Sequence, residues 1–190
     1  MGWGPPQRSY GLTVPGAQAH SWLMSTDSRD DILELFDYHH WAADRVIGAA
    51  AALTPAQLAS PCGGSFGTGR ALLRHVVGVE HLWCERWNGR SPKGLPDFPA
   101  TFSGKEFLAE WHKVKADQVE YLGELTRDKL LGQLIYLNMQ GERRTYRLAE
   151  ILQHVVNHGT YHRGQLTHLL RDHGVAAPST DFLDFIEDRR

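Results

Sequence analysis

The segment His154-Val-Val-Asn-His158-Gly-Thr-Tyr-His162-Arg-Gly-Gln165 constrains this chain more than any other. Ile151, Leu152, Val155, Val156, Leu166, Leu169 and Leu170 recur around it at helical spacing, which places it on a long amphipathic helix. Four residues advance a helix by about 400° and roughly 6 Å, so histidines at this interval stack on nearly one face. His158 and His162 flank Ile151 and Leu169 in angle and point inward, His154 lies about 40° further toward the polar edge, and His168 faces solvent. Two desolvated imidazoles side by side are costly unless they share a partner, and one divalent cation is such a partner. The apolar stripe of that helix must be buried against other helices.

The remaining pattern supplies them. Residues 1–25, rich in Gly and Pro and without sustained period, read as a flexible lead-in, and 26–190 as one domain. Met24 is an alternative start, since helical patterning begins just after it. The first helix is expected from about Asp27 to Leu53, capped by Asp27 or Ser28, with Ile32, Phe36, Ala43, Val46 and Ile47 on its stripe. Thr54-Pro55 ends it or begins a short turn, and Pro61 to Gly69 is a loop. A second helix covers about Arg70 to Trp87. A Pro-rich link, Ser91 to Phe102, is long enough to cross the end of a bundle. Ser103 and Glu106 have capping-box spacing and open a third helix that reaches about Leu125. Leu134 to Arg147 has the pattern of a small hairpin around Gln140-Gly141. The last long helix spans about Leu148 to Asp172 and stops before Gly174. Phe182, Leu183, Phe185 and Ile186 form a short packing segment. The fold class is all-α, a four-helix bundle with a long crossover connection.

Composition narrows the function. A net charge of −2 lacks the basic excess of a nucleic-acid binder, and no apolar run approaches the ~20 residues of a bilayer span. Two cysteines, Cys62 and Cys84, cannot build a disulfide framework, and with no signal-peptide pattern they point to the cytoplasm.

A cation held by His158 and His162 needs ligands from elsewhere. His75 sits at one edge of the second helix's stripe. Glu80 lies near its middle, roughly 140° away, so the two do not serve one ion together. A buried carboxylate requires a partner, and Arg163, between Leu152 and Val156 in angle, is the plausible cation. On the first helix His39 faces the interior as a fourth ligand, a donor behind the ligands, a substrate contact or a core histidine bonded to a neighbour. Tyr38 and Trp41 read as packing aromatics; His81, His112 and His173 read as surface residues.

Three segments resemble the DinB-like group of the DinB/YfiT-like superfamily. They are Tyr38-His-His-Trp41-Ala-Ala-Asp-Arg-Val-Ile47, then Ser65-Phe66 through His75 with Glu80, Trp83 and Glu85-Arg-Trp-Asn-Gly89, and His154 through Gln165 with Gly174. The resemblance implies a bundle with a long crossover and a three-histidine site of His75, His158 and His162. It also implies a divalent ion such as nickel or zinc, and a homodimer. Where the family has an asparagine on the first helix, this chain has His39, which leaves the fourth coordination position open. His154, Glu80, Arg163 and Gln165 then have supporting or structural roles.

Three protein ligands leave positions for water or substrate. The resemblance extends to enzymes that use low-molecular-weight thiols, so the expected function is a metal-dependent enzyme on small molecules. It would be a thiol S-transferase or a hydrolase in detoxification or stress response, with His39 or Tyr161 assisting proton transfer. The alternative is a non-catalytic metal-binding protein whose fourth ligand is His39 or His154.

Overall fold

The structure, a computed structural model, describes residues 29–63 and 65–190, so the lead-in over 1–25 and the caps Asp27 and Ser28 lie outside the described residues. Four long helices form the body: α1 (Arg29–Ala50), α3 (Gly69–Trp87), α4 (Gly104–Gly123) and α6 (Leu148–Asp172). Three short helices, α2 (Pro55–Ala59), α5 (Arg127–Leu131) and α7 (Phe182–Asp188), and one antiparallel hairpin of β1 (Gln133–Leu137) and β2 (Arg143–Arg147) complete it.

The termini follow from local chemistry. α1 stops at Ala50, short of the expected Leu53, because Thr54 and Gln57 close a capping box with Pro55 at the first turn of α2. Ser103 and Glu106 close a second box, with Ser103 N donating to Glu106 Oε2 at 2.6 Å. Gly141 (φ 80°) turns the hairpin and Gly174 (φ 68°) follows the end of α6. α5 was not foreseen; its five residues are too few to show a period.

Cross-contacts give the helix directions. Arg70, early in α3, donates to Phe102 O just before α4, while Trp87 and Tyr121 meet at the far ends of the same pair, so α3 and α4 run parallel. The link from Ser91 to Phe102 therefore runs back along α3, with Leu95 and Phe98 packed over Gly78. His40 meets Gln118 and Asp44 meets Trp111, which sets α1 antiparallel to α4. Gly69 lies against Leu169 and Trp83 against His154, which sets α3 antiparallel to α6. The order is up-down-down-up.

Two apolar clusters fill the bundle. One holds Val46, Leu73, Phe107, Trp111 and Leu166; the other, toward the hairpin, holds Ile32, Phe36, Trp83, Trp87 and Leu152. In the order of each helix, six of the seven buried polar residues among those described come between the two: His39 and His40 on α1, Glu80 on α3, Gln118 on α4, His162 and Arg163 on α6; the seventh, Arg86, lies within the span of the second cluster. α7 closes over Tyr38 and Trp41 with Phe182 and Phe185, and Tyr38 OH donates to Thr180 O at 2.9 Å. No helix among the described residues is long and apolar enough to cross a membrane.

α1 and α6 can approach at this level because residue 159 is glycine. A Cβ there would lie 2.8 Å from His39 Nδ1 and 3.0 Å from the Arg163 guanidinium. Gly159→Ala is therefore expected to lower stability by about 1–3 kcal/mol, as overpacking does, which urea denaturation would measure. An unchanged urea midpoint would show that the two helices are not in this contact.

Candidate metal centre

The antiparallel register of α3 and α6 brings three imidazoles together. His75 Nε2 lies 3.1 Å from His162 Nε2, and His162 Nε2 lies 3.0 Å from His158 Nε2. One nitrogen from each ring falls within 4.8 Å of the other two, so the three form a group that could hold a metal ion. Two imidazole nitrogens sharing one ion at ~2.1 Å from each stand about 3.0 Å apart at a right angle and about 3.4 Å apart at the tetrahedral angle.

The donor chemistry fits a cation better than a proton. His162 Nδ1 stands 2.7 Å from Gln165 Oε1, an acceptor, so its proton is on Nδ1 and its Nε2 presents a lone pair. That single lone pair can accept from one of the two nitrogens facing it, and the other is left without a partner. Burial, with His162 adding to it, pushes both His75 and His158 down to about 4, so both are neutral ligands at neutral pH.

Aromatic rings frame the triad. Phe66, from the loop before α3, packs 4.6 Å from the His75 ring and 5.6 Å from His162. Nothing in the periodicity of that loop marked it. Tyr161 stands edge-on at 5.0 Å from His162, with two-thirds of its surface exposed. A cleft of about 340 Å³ opens there, with Cys62, Phe66, Tyr161, Gln165, His168 and Leu169 among its lining residues. At the other end His154 lies 5.9 Å from His158, ring to ring, and borders a separate cleft of about 520 Å³.

Glu80 and His39 do something else. Gln118 Nε2 donates to Glu80 Oε2 at 2.9 Å, and His40 Nε2 meets Gln118 Oε1 at 2.9 Å. His39 Nε2 faces Glu80 Oε1 at 3.2 Å, while His39 Nδ1 lies 3.0 Å from Arg163 Nη1. Arg163 can only donate, so His39 Nδ1 accepts and its proton sits on Nε2, toward the carboxylate. Burial alone would raise the Glu80 carboxyl; His39 and Gln118 outweigh it and hold the group below the usual carboxylate range.

The expected Glu80–Arg163 pair is thus corrected, because His39 stands between the two and relays the interaction. His39 Nδ1 is hydrogen-bonded to Arg163 and Nε2 is turned to Glu80 at ion-pair distance without meeting hydrogen-bond geometry, at 1% exposure, and the ring is outside the triad. His40 and Gln118 were missed as buried members, although a glutamine in register with Trp111, Val114 and Leu122 on α4 was a readable signal.

Acid should unfold the metal-free protein. His40, His75 and His158 each lie near 4 when folded and near 6.5 when unfolded. Above 6.5 both states are neutral. Between 6.5 and about 4 the unfolded chain takes up protons first, so the histidines' contribution to stability falls through that window and is fully lost below it. The loss is on the order of 3 kcal/mol for the well-buried His40 alone. Urea midpoints measured with a chelator present would check it, and a flat profile from pH 7 to 4 would refute it.

Comparison with known proteins agrees with this architecture. The DinB family matches residues 24–190. Protein DinB of Bacillus subtilis (strain 168) is 27% identical over 168 residues, covering 80% of this chain and 92% of that protein. The crystal structure of a DinB-like protein from Bacillus cereus ATCC 10987 superimposes with a TM-score of 0.64 at 22% identity, covering 79% of this chain and 95% of that one, a likeness of fold. With the family match running over 24–190, and with these helices and this histidine group, the chain belongs to the DinB family.

Proposed function

We propose that His75, His158 and His162 hold a divalent ion, nickel or zinc, and that the protein is a metal-dependent enzyme acting on small molecules. The leading reaction is transfer of a low-molecular-weight thiol to an electrophilic substrate in detoxification or stress response, in the cytoplasm and as a homodimer. One observation carries the reading: three imidazole nitrogens face one another, His75 and His158 are only partly buried, and residues in ring contact with them, Phe66 and His154, line two open clefts.

A bound ion would supply Lewis acidity, enough to bring the pKa of a thiol or a water toward neutrality. This chain's own residues do the rest. Gln165 fixes the tautomer and orientation of His162. Phe66 packs against His75 and His162 and makes that side of the pair apolar. Tyr161 presents its phenol at the smaller cleft, where it can deliver a proton to a leaving group or departing anion. Hydrolysis is the close variant, with water replacing the thiol. The competing reading is a non-catalytic metal protein, and the nearness of His154 to His158 favours it, since that imidazole could close the site.

His158→Ala and His162→Ala should each abolish stoichiometric uptake of zinc or nickel in equilibrium dialysis, and Gln165→Leu should weaken uptake roughly 10- to 100-fold. Unchanged metal content in both histidine variants would refute the ligand assignment. Catalysis is tested separately. The metal-loaded protein should consume 1-chloro-2,4-dinitrobenzene only when a thiol is supplied, followed by the release of chloride. No turnover across a broad panel of thiols would leave the non-catalytic reading standing.

A further inference from the structure

The larger cleft, about 520 Å³, lies between the hairpin and the α3–α6 seam and is lined by Trp83, Tyr136, Tyr146, Glu150, Ile151 and His154. Its volume is that of a small-molecule site. Three of its six residues are aromatic. Tyr136 and Tyr146 stack across the hairpin at 6.5 Å and 28°, and Trp83 meets Tyr136 edge-on at 5.4 Å. His154 connects this wall to the triad, 5.4 Å from Trp83 on one side and 5.9 Å from His158 on the other.

Behind the wall sits Arg86. Its guanidinium carbon lies 4.7 Å from the Trp83 ring centre and 4.5 Å from that of Tyr136, and the residue is 5% exposed. Nε has no hydrogen-bond partner, and among the described residues no carboxylate pairs with this side chain. Among the described residues the contacts that hold this buried cation are the two ring faces. Its charge is passed to the cleft by the rings it polarises. The one acid on the lining, Glu150, is already bound by Arg147 at 3.0 Å. An aromatic surface backed by an unmatched positive charge complements a flat, negatively charged molecule.

We infer that this cleft binds small aromatic anions and that they are the substrate class presented to the triad through His154. The second clause rests on the function proposed above; the binding itself does not.

Titration of the purified protein with 2-naphthoate, followed by the probe's fluorescence, tests it. One saturable site is expected, with 2-naphthalenemethanol, the neutral analogue, binding at least tenfold more weakly. Tyr146→Ala, at a half-exposed position that should not disturb folding, is expected to weaken 2-naphthoate roughly fivefold. Arg86→Met should erase the preference for the anion while leaving the alcohol's affinity unchanged. His162→Ala should leave 2-naphthoate binding intact; loss there would mean that the carboxylate sits on the triad and would overturn the assignment. Loss in His168→Ala instead of Tyr146→Ala would place the probe in the smaller cleft and overturn it as well. Equal affinity for acid and alcohol, or no saturable site, would do the same. Metal uptake measured on the same preparations separates this failure from failure of the metal reading.

Discussion

The bundle depends on one buried chain of polar contacts, from His40 through Gln118, Glu80 and His39 to Arg163. Each of the four long helices contributes to it, and the apolar clusters lie to either side. Apolar packing alone tolerates a slip of one helix along another, whereas a one-turn slip of ~5.4 Å would leave Glu80 or Arg163 buried without its partner. We read the chain as what fixes the register of all four helices, the role in which buried polar groups are best attested. The triad inherits that register. His75 lies five residues before Glu80 on α3, and His162 is the immediate neighbour of Arg163 on α6, so the contacts that align the network also align the ligands.

Topology decides which seam receives the site. Because the Ser91–Phe102 link returns along the bundle, α3 and α4 are parallel neighbours and α6 runs up beside α3 as its antiparallel partner. The α1–α4 seam is locked by Asp44, which accepts from Trp111 Nε1 at 2.7 Å and from Lys115 at 2.6 Å. The α3–α6 seam carries the histidines and is flanked by the hairpin at one end and the Phe66 loop at the other. Both clefts arise from those two irregular segments, since regular helices packed side by side leave little room between them.

Much of this was legible. Helical period gave the long helices, the Ser103/Glu106 spacing gave the start of α4, and the wheel put His158 and His162 inward because each residue's angle follows from the helix alone. What failed to appear involves contacts between elements. Arg163 and Glu80 were both read as buried, and pairing them was reasonable on charge; that His39 is interposed depends on Gly159 letting α1 come close, which no single helix reveals. Phe66 sits on a loop without period, and its place over His75 is set by the turn of the chain into α3. Arg86 reads as an ordinary charged residue late in its helix, and only the hairpin's return over it makes it a buried cation against Tyr136.

Charge connects the centre to its surroundings. The triad offers imidazole nitrogens and no carboxylate, unlike the carboxylate-rich sets that cancel a cation's charge at its first contacts. Glu80, the nearest buried carboxylate described, is already bound by His39 and Gln118, with Arg163 one ring beyond. An ion bound by such ligands keeps most of its charge for whatever enters from the clefts, and a thiolate or another anion gains most from that. The larger cleft has the same bias from a different source, a guanidinium stacked on two rings with no carboxylate opposite it. Two independent features, imidazole ligation and an aromatic-backed arginine, therefore favour the same sign of ligand, and His154 stands where the two meet.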